Sequence, residues 1–313
     1  MLYPDFEELL QMGYKASRMN LASRRHALSI VSGDQQSPFR GKGLEFEEVR
    51  EYVPGDDVRN IDWRVTARTG RPHLKLFTEE RERSVIICND VNLSMRFGTR
   101  VTFKSIQAAR AAALLGWAGV RSHHRLGASF FGNVQGGMLF LDPARSRRSL
   151  WRMLKQLCDR EIYFEEPAPL ADHLRYLNKA TPAGSLVFII SDFLEPGENL
   201  KRRLSDLHRR ADVVIVSVND PADSLLPSVG PILFTDGAGR RKALDTSEKG
   251  GRKAYERLWA ENREQLRAII LSLGLGHIAL STDRDVHADL VNGVKRLRGK
   301  KGGRHGRPAV AAA

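Results

Sequence analysis

From residue 83 onward the chain alternates between short runs of consecutive apolar residues and longer segments in which apolar residues recur every three or four positions. Ser84-Val85-Ile86-Ile87-Cys88 and Ser185–Ile190 are unbroken runs, the pattern of strands buried on both faces; Val213–Val218 and His277–Leu280 add two more strands. Ile106, Arg110, Ala113, Leu114 and Trp117 recur at helical spacing and predict a helix from about Val101 to Val120. Further helices are expected at about 145–159 (Leu150, Leu154 and Leu157 on one face), at 169–179, around Leu200, Leu204 and Leu207, at about 253–273 and at about 285–297. Leu126–Phe131 and Met138–Leu141 flank the turn GNVQGG and read as a hairpin, while the Pro- and Gly-rich stretch of about 220–251 inserts a second hairpin, ILFTDGAGRRKAL. Strands alternating with amphipathic helices predict an α/β domain over 83–297, a mostly parallel sheet with helices on both faces.

The flanks differ. Residues 1–40 read as a helical segment followed by the polar linker SGDQQSP, and 41–82 form a charged block too polar for a core and too rich in Trp, Tyr, Phe and Val for disorder. That block is expected to be a smaller, β-rich attachment packing on the main domain. At the other end the run KRLRGKKGGRHGR carries almost no apolar surface, and 298–313 is expected to be a disordered basic tail. This tail changes how the total charge is read. A formal +13 with a pI near 10.0 suggests nucleic acid, but much of the excess lies in the tail, and the remaining arginines are dispersed over helices as on solvated faces. Nucleic acid is therefore not the expected partner. Cys88 and Cys158 have no CxxC or Cys/His neighbour and are expected as free buried thiols in a reducing compartment. No leader opens the sequence and the longest apolar runs are strand-sized, so no membrane span and a cytoplasmic location are expected.

In parallel sheets ligands bind beyond the carboxyl ends of the strands. Two of the predicted buried strands lead into aspartates there, Asp90 and Asp192. After the first, Asp90, Asn92 and Ser94 alternate through a turning loop, so that a carboxylate, an amide carbonyl and a hydroxyl can converge with Asp192 on one point. These are hard oxygen ligands suited to Mg²⁺, Mn²⁺ or Ca²⁺. The competing reading is that each aspartate caps a helix or orders a turn with no metal present.

Asp90-x-Asn92-x-Ser94, with Asp192 further along, resembles the D-x-S-x-S metal-ion-dependent adhesion site of von Willebrand factor A domains, a Rossmann-like α/β fold. The block GLEFEEVREYVPGDDVRNIDWRVTAR (43–68), SDF at 191–193, NDPADSLLP at 219–227, Tyr255 and LSTD at 280–283 resemble the bacterial domain of unknown function 58 family, from about residue 40 onward. The resemblance implies a von Willebrand factor A-like fold. It also implies an adaptor, not an enzyme, that works beside a MoxR-type AAA+ ATPase on a client protein in chaperone-like assembly or activation. The chain departs from the pattern at Asn92, which stands where Ser is usual, and in YFEEPAPLADHL (163–174), which lacks the Thr that the fold usually supplies.

The charged block offers a second surface. Pro54, Gly55, Asp56 and Asp57 predict a turn. Arg50, Arg59, Arg64 and Arg68 surround Trp63 and alternate with Glu48, Asp57 and Asp62. They form either an internal ion-pair network or, because Arg and Trp dominate binding hot spots, a partner-binding face. Asp56, Asp57, Asp62, Glu79 and Glu80 leave open a two-metal nuclease reading. No phosphate-binding loop of the G-x-x-x-x-G-K-[ST] kind is present, so no nucleotide is expected, and neither G-x-S-x-G nor H-E-x-x-H occurs. The adjacent His123 and His124 would point apart on a helix and are poor joint ligands.

Overall fold

The computed structural model describes residues 3–18, 44–54, 56–79, 83–132, 134, 138–159, 169–194, 196–235 and 241–299. The predicted linker at 32–38, nearly all of the predicted tail, most of the turn 132–137 and the hairpin tip at 236–240 lie outside the described residues. The chain divides into two compact units, residues 35–82 and the remainder.

The larger unit holds helix α1 (Phe6–Arg18), then strand β3 (Ser84–Asp90), α3 (Lys104–Arg121), β4 (Arg125–Phe131), β5 (Met138–Ala144), α4 (Arg147–Cys158) and α5 (Leu170–Ala180). It continues with β6 (Leu186–Ser191), α6 (Glu198–His208), β7 (Asp212–Asn219), the single turn α7 (Pro221–Ser224), a hairpin of β8 (Pro231–Thr235) and β9 (Arg241–Asp245), α8 (Lys249–Leu273), β10 (Gly276–Ser281) and α9 (Val286–Gly299). Six strands form one sheet in the order β10-β7-β6-β3-β4-β5, all parallel except the edge strand β5. The predicted α/β architecture is thus realised, with the 220–251 insertion forming a separate two-stranded sheet. From β3 the chain runs outward through β4 and β5, then returns to β6 on the other side of β3. The sheet therefore has a switch point between β3 and β6, where adjacent crossovers diverge and open a crevice.

Residue alternation sends neighbours on each strand into opposite cores. Val85 and Ile87 of β3, with Leu186, Phe188 and Ile190 of β6, pack beneath α1, α3, α4 and α9. Ile86 and Cys88, with Val187 and Ile189, pack beneath α5, α6 and α8. Cys88 is a buried free thiol, whereas Cys158 is half-buried. Several boundaries shift from expectation: β3 runs on to Asp90, β5 to Ala144, and α8 begins at Lys249. Helix α3 begins at Lys104, not near Val101, because the Lys104 amide donates to the Phe97 carbonyl at 2.9 Å and Phe103 stays extended, so 97–103 form a loop. Of the helical segment expected at the start, the described helix is Phe6–Arg18. It docks on α3: Leu9, Met12 and Ala16 are buried, Glu8 pairs with Arg110 at 2.6 Å, and Arg121 donates to the Gly13 carbonyl at 2.9 Å.

In the smaller unit β1 (Leu44–Glu51) pairs antiparallel with β2 (His73–Glu79) through a bulge between Phe46 and Glu48. Between them lie a 3₁₀ turn (Val58–Asn60) and helix α2 (Trp63–Thr69), which ends on Gly70 in the left-handed region.

Leu9 is fully buried, so Leu9→Ala removes packing from the α1–α3 contact and is expected to cost about 2–4 kcal/mol. In urea melts this appears as a lowered midpoint with an unchanged slope; a midpoint equal to that of the unaltered chain would show that α1 adds nothing to the fold.

Candidate binding site at the carboxyl ends of the central strands

The last residue of β3 and the first beyond β6 bring Asp90 and Asp192 to the switch point, 5% and 2% exposed. Asp90 is held on both oxygens. Its Oδ1 accepts the Asn92 amide at 2.9 Å and the Asn92 side-chain Nδ2 at 2.8 Å, and its Oδ2 accepts the Ser191 hydroxyl at 2.6 Å. Asn92 fits there because residue 132 is glycine. Gly132 sits at φ +109, and a Cβ on it would lie 2.7 Å from the Asn92 amide oxygen and 2.6 Å from its backbone nitrogen. The Met95 amide then closes a 3₁₀ turn onto Asn92, and Ser94 lies where its hydroxyl favours the charged form of Asp192. Phe193, directly after Asp192, is a buried bulky residue at φ +48, strain of the kind found at functional sites.

Lys104, at the start of α3, is 2% exposed, and its ammonium reaches both Asp223 oxygens at 2.8 and 2.9 Å and Asp192 Oδ2 at 3.6 Å. Asp223 belongs to α7, whose capping box couples it to Asp220. Asp220, also 2% exposed, accepts from the Thr99 amide and hydroxyl, the Thr282 hydroxyl and the Ala222 amide. Arg263 of α8 stacks over Trp259 at 4.3 Å, donates to the Phe193 carbonyl at 2.5 Å and to Asn219 at 3.3 Å, and lies within electrostatic range of Asp192 and Asp223. Four carboxyls therefore face two cations.

Burial is the main force on these groups. It raises the Asp90 carboxyl to about 7, with the charge of Asp192 pushing the same way and the Ser191 and Asn92 hydrogen bonds opposing. Burial also raises Asp192, with Asp223 adding to the rise and Lys104, Ser94 and Arg263 opposing it. At Asp220 burial is outweighed by the Thr282, Thr99 and Ala222 hydrogen bonds, and the group sits below its usual value. Among buried side-chain atoms, Asp192 Oδ2 makes no hydrogen bond. No group of three or more His, Cys, Asp or Glu gathers around one point among the described residues. A divalent cation here would draw on two carboxylates and neutral oxygens: Asp90, Ser94, Asp192, and Asn92 once its amide turns oxygen-first. The excess of buried carboxyls and an Asp192 oxygen that makes no hydrogen bond fit that set. The stretch 160–168, which holds the first half of the segment lacking the expected Thr, lies outside the described residues.

The other sequence candidates fall in the smaller unit. Arg50 closes a two-bonded ion pair on Asp56 at 2.8 and 2.7 Å, and Asp56 also accepts the Val53 amide, so the turn forms as the sequence suggests. Asp57 caps the 3₁₀ turn and Asp62 caps α2 through the Arg64 and Val65 amides. These acids are occupied in ordering backbone, contrary to a nuclease centre; the side chains of Glu79 and Glu80 lie outside the described residues. Trp63 is 71% exposed, and Arg59, Arg64 and Arg68 are exposed without an ion pair among the described residues. An internal ion network is thus formed by Arg50 but not by these three. His123, at φ +57, and His124 lie beyond the end of α3 at Arg121, so they are not on a helix as the sequence suggested, and they are far from this site.

Residues 48–265 match the family described as "Protein of unknown function DUF58". The chain belongs to the DUF58 family. Uncharacterised proteins of Mycobacterium tuberculosis and Mycobacterium bovis are each 32% identical to this DUF58 chain over 294 residues, 91% of this chain and 90% of theirs. Among solved structures, an aerotolerance-related membrane protein from Bacteroides fragilis aligns with 68% of the chain and 99% of its own at 13% identity and a TM-score of 0.43. A von Willebrand factor type A protein from Catenulispora acidiphila aligns with 71% of the chain and 43% of its own at 12% identity and a TM-score of 0.37. No helix among the described residues is long and apolar enough to cross a membrane.

Sequence reasoning found Asp90, Asn92, Ser94 and Asp192 but not Ser191, Lys104, Asp220, Asp223 or Arg263. The capping box Asp220-Pro221-Ala222-Asp223, with proline at the first helical position, was a legible signal that two acids are fixed side by side.

Because the Asp90 carboxyl is raised in the fold, the native state holds a proton that the unfolded chain releases, and this part of the stability falls as pH rises from about 4 to about 7. With chelator present, Asp90→Asn should flatten that fall and raise Tm by roughly 3 °C or more at pH 7.5, with little change at pH 4; a variant that melts lower at pH 7.5 refutes the assignment. Lys104→Met leaves Asp192 and Asp223 without their cation and is expected to lose about 3–5 kcal/mol in denaturant melts, a loss that Lys104→Met with Asp223→Asn partly restores; equal losses in both would refute the pairing.

Proposed function

We propose that this DUF58 chain is a non-enzymatic adaptor that binds an acidic group of a protein partner at the β3/β6 switch point, working beside a MoxR-type AAA+ ATPase that supplies the work on a client. The observation that carries the reading is the pairing of two buried carboxyls, Asp90 and Asp192, at the sheet's one topological crevice, with Asp192 Oδ2 making no hydrogen bond. A divalent cation held by Asp90, Ser94 and Asp192, with Asn92, would supply Lewis acidity and open positions for a partner's carboxylate. The chain's own residues prepare that point. Ser191 and Asn92 orient Asp90, Ser94 favours the charged form of Asp192, and Lys104 and Arg263 offset part of the buried negative charge without cancelling it. Asp220 and Asp223 are engaged in the capping box of α7, which leaves Asp90 and Asp192 as the pair offered to a cation.

Calorimetric titration of Mg²⁺, Mn²⁺ and Ca²⁺ into chelator-stripped protein tests the cation. Binding that Asp90→Ala abolishes is expected. With a purified MoxR-type ATPase and ATP, complex formation should survive buffer exchange but fail with chelator or in Asp192→Ala. Complex formation indifferent to both would overturn the cation-bridged reading.

A further inference from the structure

At the far end of α3 from the switch-point site, α1, the end of α3 and the start of α4 enclose a groove of about 660 Å³. Tyr14, Trp117 and Val120 supply its apolar lining, and Arg121, Arg145 and Arg147 its charge. His123, His124 and Ser146 complete the polar part, and no Asp or Glu lines it among the described residues. Arg145 and Arg147 are exposed and make no ion pair among the described residues. Arg147 also opens α4, where the positive end of the helix adds to their field. The groove is fixed in shape by the α1–α3 contact: Arg121 donates to the Gly13 carbonyl at 2.9 Å, Trp117 Nε1 donates to the Leu9 carbonyl at 3.4 Å, and a Cβ on Gly13 would lie 2.9 Å from the Trp117 ring.

We infer that this groove is a second docking site, for an acidic segment of a partner protein that places an apolar side chain between Tyr14 and Trp117 and its carboxylates on Arg121, Arg145 and Arg147. The charge is complementary, since three guanidiniums with no acid beside them among the described residues select an anion and suit the two-bonded recognition of carboxylates. Tyr14 is 78% exposed and, with Trp117 and Val120, offers an apolar seat for one anchoring side chain. A protein segment fits better than a nucleic acid. Arg121 lies over the Trp117 ring at 5.9 Å and covers a face on which a base would stack, leaving the aliphatic wall, which matches a side chain. The groove is distinct from the switch-point site: α3 runs between them, from Lys104 at the acidic end to Arg121 at the basic one, roughly 27 Å for 18 residues.

The test uses the full chain and a fluorescein-labelled peptide with Leu-Phe between runs of Glu, read by anisotropy at low and moderate salt. A matching peptide with Gln for Glu and a single-stranded oligonucleotide serve as comparisons. Arg145→Glu with Arg147→Glu should weaken binding of the acidic peptide by about tenfold or more at an unchanged Tm, and Tyr14→Ala should weaken it while leaving the salt dependence intact. Arg257→Glu with Arg267→Glu, an equal charge change at exposed positions of α8, should shift it by about twofold at most. The inference fails if the acidic peptide does not bind, if the α8 reversal matches the groove reversal, or if the Gln peptide binds equally. It also fails if the oligonucleotide binds as well and loses affinity in the groove variant to the same degree. None of these outcomes depends on a cation at Asp90, so the two sites stand or fall separately.

Discussion

The carboxyl end of this sheet exists in its present form because Lys104 is buried between two acids. A lysine that is 2% exposed forfeits most of its hydration, and only close carboxylates offset that loss. Asp223 does so with both oxygens and Asp192 with one, at slightly longer range. The three residues come from the start of α3, the turn after β7 and the loop after β6, so a single ammonium ties together three of the loops that a parallel sheet must otherwise leave independent. Thr99 and Thr282 extend the tie, since both donate to Asp220, which shares a capping box with Asp223. Removing one member leaves the others charged and dry, which is why polar networks of this kind fix a geometry more firmly than their net contribution to stability suggests.

That network also explains why the Asp90–Asp192 pair can persist. The pair is electrostatically unfavourable as it stands: burial raises both groups, the charge of Asp192 adds to the rise at Asp90 and that of Asp223 to the rise at Asp192, and Asp90 reaches about 7. The strained backbone at Phe193 adds to the cost. Such a site is held by its surroundings, here by sheet pairing on both sides of β3 and by hydrogen bonds from Ser191 and Asn92. An arrangement that costs stability without improving packing points to a use, and added positive charge at that point, from a cation or a partner, is what would relieve it.

How far the sequence revealed this depends on the kind of interaction. The strands were legible because burial on two faces leaves an uninterrupted apolar run, and the site's first members because their oxygens follow directly on those runs. Lys104 was not legible, since periodicity assigns a lysine at a helix start to solvent, and its burial depends on Asp223, which is 119 positions away. Arg263 was hidden for the same reason: α8 carries many arginines, and only the fold selects the one that reaches Asn219 and the Phe193 carbonyl. In the smaller unit the turn at Pro54–Asp57 was readable from local chemistry, but the division of its arginines was not. Arg50 finds Asp56, whereas Arg59, Arg64 and Arg68 do not fold back on an acid among the described residues.

The two ends of α3 differ in a way that ionic strength separates. The Lys104 cluster is enclosed, so its interactions lie within a few ångströms and out of reach of mobile ions, and salt screens them little. Arg145 and Arg147 stand in solvent, where a Debye length of about 8 Å at physiological ionic strength attenuates any attraction beyond direct contact. A contact at the acidic end should therefore be governed by desolvation and by the presence of positive charge in the crevice, and one at the basic groove by salt. Because the same helix forms part of both, and because its middle is packed by Ala108, Ala111 and Ala112 against the sheet, neither end can shift freely without disturbing the core between them. The geometry suits a rigid spacer that holds an enclosed acidic crevice at one end and an exposed basic groove at the other.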